Sequence, residues 1–447
     1  MKTLFGTSGI RGDANDLFTP QFCFDLGRTF SIFLDKHKQS GVVAVGMDPR
    51  GSSPRIKEGF VAGLIYEGRE IYDEGATPVP SMCYILQLDN FIVGAAMITG
   101  SHIKDYLNGI KFFAFDGEIL MAHEKEIDEI YLKIKETVKC QKSKRSIEIE
   151  NRATEEYKKL LLDLSLNSYP KWKIVADPGD GAQSDVMPVV LKELGIEVIE
   201  LNATIQGEFF ARDTENEPDF EGLKQKVKET KADFGIGWDS DGDRCIFVGK
   251  GGIFIPGDYT AAIVARASHG SSIVTPIATS QVVDYIEKKV VRTKVGSPHV
   301  IEAMKQTNSK FGFEANGGGV SAEIMYTRDG GTTTMKFLNI LAKSGKTIEE
   351  LISELPKFYL SKAKMDYKWE LKNEIIEKAK NEFGSGNEID KTDGLKIWMD
   401  DTTWMLFRSS QNAPEFRVFA ESTSKEKSDK ILKDGIDLVE KIIHDNA

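Results

Sequence analysis

At 447 residues the chain is too long for one ordinary core, and about three or four domains are expected. Its 58 Lys and Arg stand against 69 Asp and Glu, and the formal net charge of −11 argues against nucleic acid or an anionic membrane as main partner. No apolar run reaches membrane-spanning length, no leader-like segment opens the chain, and four scattered cysteines lack metal or disulfide spacing, so a cytoplasmic globular protein is expected.

The predicted elements repeat along the chain. The β-branched run GVVAVGMD (41–48) reads as a buried parallel strand. It is followed by GLIYEGREIYDEGATPVPSM, which reads as an amphipathic helix, a second strand and a loop. KWKIVADP (171–178) leads in the same order into LKELGIEVIELNATIQGEFF, and SSIVTPIA (271–278) into YIEKKVVRTKVGSPHVIEAM. This predicts an α/β protein with three related α/β domains, their sheets mixed and mainly parallel. Polar stretches place boundaries within KCQKSKRSIEIEN (139–151), near Lys250 to Gly252, and after LPKFYL (355–360). The expected domains are 1–148, 149–252, 253–365 and 366–447. The last reads as a smaller α+β domain, with a helix over 372–383, strands at LKIWMD and WMLFRS, and a closing helix in SKEKSDKILKDGIDLVEKIIHD.

Four loops concentrate reactive side chains. TGSHIKDYLNGIK (99–111) follows the apolar strand FIVGAAMI, which presents Ser101 at the C-terminal edge of a sheet, where α/β proteins bind ligands. Ser101 is a candidate phosphate carrier, with His102 and Lys111 as nearby cations or proton donors; taken alone, the segment also reads as a hairpin with a solvated serine. In DFGIGWDSDGDRC (233–245), Asp239, Asp241 and Asp243 can face one side of a tight loop. Crowded carboxylates call for a hard cation, and the spacing is not that of an EF-hand. Arg244 follows directly and can offset substrate charge. GFEANGGG (312–319) sets Glu314 and Asn316 among glycines, which suits sugar hydroxyls or a flexible connector. FRSSQNAPEFRVFAES (407–422) gathers Arg408, Ser409, Ser410, Gln411 and Asn412 ahead of Arg417, a donor set for a phosphate dianion or else a polar turn. SGKT (344–347) is no P-loop, because Ile340 stands where the first glycine is required.

In the order serine, metal, sugar, phosphate, with LFGTSGIRG at the start, these loops resemble the α-D-phosphohexomutase family over essentially the whole chain. The resemblance implies an intramolecular phosphotransferase that acts on small hexose phosphates, with Mg²⁺ as cofactor and a hexose 1,6-bisphosphate as activator. It implies that Ser101 is phosphorylated and joins Asp239, Asp241 and Asp243 at the metal. Lys111, His102, Arg244 and Arg11 would surround the transferring group, and Glu314 with Asn316 would bind the sugar. Arg408, Ser410, Gln411, Asn412 and Arg417 would grip the distal phosphate. Phosphomannomutase or phosphoglucomutase activity is expected, TGSHI and NAPE being similar to that branch. A phosphoglucosamine or phospho-N-acetylglucosamine mutase is the alternative, since EANG resembles the N-acetylglucosamine form. An alternative of another class is a non-catalytic sugar-phosphate-binding protein. The sequence also departs from the family. Ile103-Lys104 replaces the usual Asn-Pro, Asn316 and Gly318 replace Ser and His, and Ser297 stands where many members have His, with His299 two residues later. No general base is assigned.

Overall fold

A computed structural model describes residues 4–6, 9–141, 147–205, 209–410 and 414–446. Its first part contains β1 (Ile10–Asp13), β2 (Val42–Met47), β3 (Ile71–Ala76), β4 (Ile92–Ile98), β5 (Leu107–Ala114) and β6 (Gly117–Glu118). The next contains β7 (Lys173–Asp177), β8 (Glu197–Glu200), β9 (Phe234–Trp238), β10 (Cys245–Gly249) and β11 (Ile253–Ile255). The third contains β12 (Ser272–Pro276), β13 (Lys289–Thr293), β14 (Phe311–Phe313), β15 (Gly319–Ser321) and β16 (Met325–Asp329).

One strand order recurs in all three parts: β3-β2-β4-β5-β6, β8-β7-β9-β10-β11 and β13-β12-β14-β15-β16. Each has three parallel strands, as the apolar runs of β2, β7 and β12 predict, and then two antiparallel ones. β1 adds to β5, and a single parallel pairing of Tyr326 with Gly117 joins the first and third sheets edge to edge. The helices Ser53–Tyr66 and Met187–Glu193 follow β2 and β7 as expected. In the third part the expected helix shrinks to the 3-10 segment Gln281–Tyr285. There Ser280 caps the turn through Val282 N–H, Val282 and Val283 are buried, and the chain enters β13 at Lys289.

The last part comprises β17 (Tyr359–Asp366), β18 (Glu388–Asp390), β19 (Leu395–Asp400), β20 (Thr403–Ser409) and β21 (Glu415–Ser422), in the antiparallel order β17-β21-β20-β19-β18. Helices Lys372–Phe383 and Lys425–Asp445 bury Ile375, Ala379, Ile431, Leu438, Val439 and Ile442 against this sheet. β17 pairs with β21 along its whole length, so this sheet begins at Tyr359, ahead of the 366 boundary expected from composition. Among the described residues no helix is long and apolar enough to cross a membrane.

The recurring order decides where chemistry can sit. The serine loop joins β4 to β5, the aspartate loop β9 to β10, and the glycine-rich loop β14 to β15. Each is the same connection of the repeat, from the last parallel strand into the first antiparallel one, at a C-terminal strand edge.

Candidate active site

The three equivalent loops meet. Ser101, fully buried, donates through Oγ to Asp239 Oδ2 at 2.9 Å, and its Oγ lies 3.3 Å from His102 Nδ1. Lys111 on β5 extends Nζ to Asp241 Oδ2 at 2.9 Å and Asp243 Oδ2 at 2.7 Å. Val79 N–H, in the first part, donates to the carbonyl of Asp241 at 2.9 Å. Arg328 donates from Nη1 to Glu314 Oε2 at 2.7 Å and from Nη2 to Asp243 Oδ2 at 2.8 Å.

Ser101 sits at φ +52°, a left-handed conformation that serine rarely adopts. The surroundings hold it there. Ser101 N–H donates to Thr99 Oγ1 at 2.8 Å, and Gly100 N–H to Asp48 Oδ2 at 3.2 Å. Arg50, itself buried, donates to the carbonyls of Ser101, Ile103, Lys104 and Leu107 at 2.8–3.1 Å. Asp48 and Arg50 were not singled out in the sequence, although MDPR stands at the end of a buried strand.

The aspartate cluster has the character of a cation site. The three carboxylates are buried and offer ligand atoms that all lie within 4.8 Å of one another. Burial, then Asp241 and Asp243, push Asp239 well above the usual carboxylate range. Burial opposes ionisation of Asp243 as well, but Arg328, Lys111 and Arg244 outweigh it and hold that carboxyl well below its usual range. Asp241 Oδ1 and Asp243 Oδ1 are buried and accept no hydrogen bond from any described residue. Unsatisfied buried carboxylate oxygens in an all-oxygen set suit a hard divalent cation, so the residues present fit such an ion.

Cations ring this cluster. Burial opposes the Lys111 charge, yet Asp241 and Asp243 raise it above its usual value. Burial and Arg328 likewise oppose Arg244, while Asp239, Asp213 and Asp243 hold its charge in place; its Nε lies 3.6 Å from Asp243 Oδ1 and 3.8 Å from Asp239 Oδ2 and makes no hydrogen bond to a described residue. Arg11, half-buried on β1 opposite Gly109, is lowered to about 10 by burial and by Arg244 and Arg328. Burial, then Arg244, Arg11 and Arg328, drive His102 well below its usual value, so its imidazole is neutral at pH 7.

In the glycine-rich loop, Glu314 Oε1 accepts from Gly296 N–H at 3.1 Å and Asn316 Oδ1 from Gly318 N–H at 3.1 Å. Gly317 has φ +79°, and a Cβ there would lie 1.8 Å from the Cys245 carbonyl oxygen. Gly317→Ala is therefore expected to destabilise the fold by about 2 kcal/mol or more, measured by denaturant unfolding.

The fourth loop joins β20 to β21. Arg408 and Arg417 stand directly opposite each other in the register, an unfavourable placement for like charges unless an anion joins them. Arg408 Nε donates to Asp393 Oδ2 at 2.6 Å, and Arg417 Nη2 to Glu415 Oε2 at 3.2 Å. Arg408 Nη2 and Arg417 Nε have no partner among the described residues. Ser410 is buried and donates its N–H to the Glu415 carbonyl at 2.8 Å; Gln411 and Asn412 lie outside the described residues. Asp393 Oδ2 also accepts Val295 N–H at 3.0 Å, which ties this sheet to the 293–304 segment. His299, partly buried, is lowered by that burial and by Lys294. Ser297 donates to Glu118 Oε2 at 3.0 Å.

Comparison with known proteins identifies the family. Residues 2–138, 154–252 and 256–359 match the phosphoglucomutase/phosphomannomutase alpha/beta/alpha domains I, II and III respectively. The phosphoglucomutase/phosphomannomutase of Thermococcus kodakarensis is 37% identical over 465 aligned residues, covering 99% of this chain and 100% of that protein. A probable phosphoglucosamine mutase of Methanopyrus kandleri is 30% identical, covering 100% of this chain and 99% of that protein. The crystal structure of a putative phosphomannomutase from Thermus thermophilus superposes with TM-score 0.83 at 21% identity, covering 98% of this chain and 99% of that one, and shows the shared fold. The chain belongs to the phosphoglucomutase/phosphomannomutase family, the α-D-phosphohexomutases, and is an isomerase of that type.

Proposed function

We propose that this enzyme interconverts hexose 6-phosphates and hexose 1-phosphates, mannose and glucose phosphates foremost, through phosphoserine at Ser101 and a hexose 1,6-bisphosphate. The observation that carries the reading is the 2.9 Å contact of Ser101 Oγ with Asp239, because a protein that only binds needs no buried serine on a cation site. Mg²⁺ is the ion proposed for Asp239, Asp241, Asp243 and a phosphoserine oxygen, where it would neutralise charge on the transferring group. The protein's own groups do the rest. As the bond from phosphorus to Oγ breaks, one forms to the free sugar hydroxyl, which loses its proton as Oγ gains one. His102, whose Nδ1 lies 3.3 Å from Ser101 Oγ, would take the Oγ proton when Ser101 attacks the bisphosphate and, as imidazolium, would return it when Ser101 leaves. Arg244, Lys111 and Arg11 offset phosphate charge, and Glu314 with Asn316 receives sugar hydroxyls. Arg408, Ser410 and Arg417, with Gln411 and Asn412, hold the distal phosphate. The bisphosphate turns end over end between the two half-reactions, and added bisphosphate primes Ser101.

The same reading divides the chain at about 148, 252 and 358. Support comes from the ranges matched to domains I, II and III and from the pairing of β17 with β21. It also sets the enzyme in the cytoplasm, without nucleic-acid or membrane partners, in keeping with the net charge of −11 and four cysteines that lack metal or disulfide spacing. A second reading is a phosphoglucosamine or phospho-N-acetylglucosamine mutase: Asn316 favours the N-acetylglucosamine form and the M. kandleri relative the glucosamine form. Assays on mannose, glucose, glucosamine and N-acetylglucosamine phosphates, with magnesium and bisphosphate, test both. Turnover of none of them sinks the proposal.

Arg408→Ala separates distal binding from chemistry. Loss of a charge-assisted contact, about 1.5–3 kcal/mol, predicts roughly a ten- to hundredfold fall in kcat/KM. Phosphoserine hydrolysis by water should change far less, since water does not need that grip. Equal losses in mutase turnover and hydrolysis would show that Arg408 supports the catalytic centre instead.

A further inference from the structure

Arg328 is the residue at the centre of this site for which the proposed chemistry has no role yet. It lies on β16, 4% exposed, next to the partner strand's Gly319, which pairs with Asp329. A Cβ on Gly318 would stand 2.8 Å from the Asp243 carbonyl oxygen, 3.1 Å from Arg328 Cδ and 3.2 Å from its Cβ. The metal loop's backbone and the arginine together therefore leave no room for a side chain at 318. From there its guanidinium forks, with Nη1 to Glu314 Oε2 at 2.7 Å and Nη2 to Asp243 Oδ2 at 2.8 Å. Its Nε is buried without a partner among the described residues.

The geometry points to Arg328 as a positioning residue that fixes the sugar-binding carboxylate of Glu314 against the metal loop and so sets which sugar orientation is productive. The inference rests on the mutase reading above. Glu314 is held from two sides: Oε1 by Gly296 N–H at 3.1 Å and Oε2 by Arg328. A carboxylate fixed at both oxygens presents its remaining lone pairs in fixed directions, which two sugar hydroxyls can meet and a rotating carboxylate cannot. Only a planar fork can hold two carboxylates from different loops at one fixed spacing; a lysine ammonium supplies the charge without it. A structural role would be charge pairing alone, because Asp243 and Glu314 are both buried and need compensation.

The test is a double-mutant cycle on the magnesium-loaded enzyme: wild type, Arg328→Lys, Glu314→Gln and the double variant. Each is assayed for kcat and KM on mannose and glucose phosphates, for phosphoserine hydrolysis and for thermal melting. Arg328→Lys is expected to lower kcat by ten- to hundredfold, to change the mannose-to-glucose ratio of kcat/KM severalfold, and to leave hydrolysis within about threefold. On the Glu314→Gln background the same change should cost little more, since the group it positions is gone. Additive losses, or an unchanged sugar ratio, overturn the inference and leave charge pairing as the role. Should the lysine variant not fold, Arg328→Gln carries the same cycle. Inactivity of the wild type on every sugar phosphate would sink the mutase reading itself, which separates the two failures.

Discussion

A Ser101→Ala enzyme is expected to lose mutase turnover by about four powers of ten or more, because the change deletes the phosphate carrier itself and not a group that assists it. Intact-mass analysis after incubation with hexose 1,6-bisphosphate should show a phosphorylated fraction in wild type and none in the variant. The backbone supplies a sharper control. Ser101 holds φ +52°, where glycine rests without strain and alanine does not. Ser101→Gly should therefore be at least as well folded as Ser101→Ala and equally inactive. If the alanine protein is inactive only because its loop has moved, the glycine protein recovers activity, and a carrier role is excluded. Retention of more than about a tenth of wild-type turnover by either variant would also exclude it.

Much of this site was legible in the sequence because its chemistry is local. Ser101 follows an apolar strand, and the three aspartates crowd one loop, so each segment announces its type without knowledge of the fold. The structure then places Ser101 2.9 Å from Asp239 and Lys111 between Asp241 and Asp243. The three-part α/β repeat was legible for the same reason, since each parallel strand is a continuous apolar run. What stayed hidden acts at long range. Arg328 lies 85 residues from Asp243, and Asp393 lies 98 from Val295; no local pattern marks either pair. Arg50 works through backbone carbonyls, which carry no sequence signature. β17 is cut by the predicted boundary because LPKFYL and KAKMD differ in composition, although Tyr359 and Leu360 pair with β21 in the same strand as KAKMD.

Removal of the metal, or of the charge that holds it, is expected to have the second large effect. Asp241 accepts Lys111 through Oδ2 at 2.9 Å and lies within 3.1 Å of Thr99 Oγ1, while its Oδ1 is buried without a partner. Asp241→Asn keeps the volume and one acceptor oxygen, removes the negative charge and puts an NH2 donor in place of the other oxygen. If that charge holds Mg²⁺, the loss is several kcal/mol of transition-state stabilisation, about two to four powers of ten in kcat. Stability without metal is set by two opposed effects, since Asp239 and Asp243 then sit beside one charge fewer while buried Lys111 loses one of its two carboxylate partners. A ligand that binds only the folded state stabilises it, so magnesium should raise the melting temperature of wild type and not that of the variant. The two readouts discriminate. Equal magnesium-induced shifts in both proteins would place the ion elsewhere, and full activity after exhaustive chelation would remove it from the chemistry altogether. A fall in activity alone, with the wild-type magnesium shift intact, would make Asp241 an anchor for Lys111 and not a metal ligand.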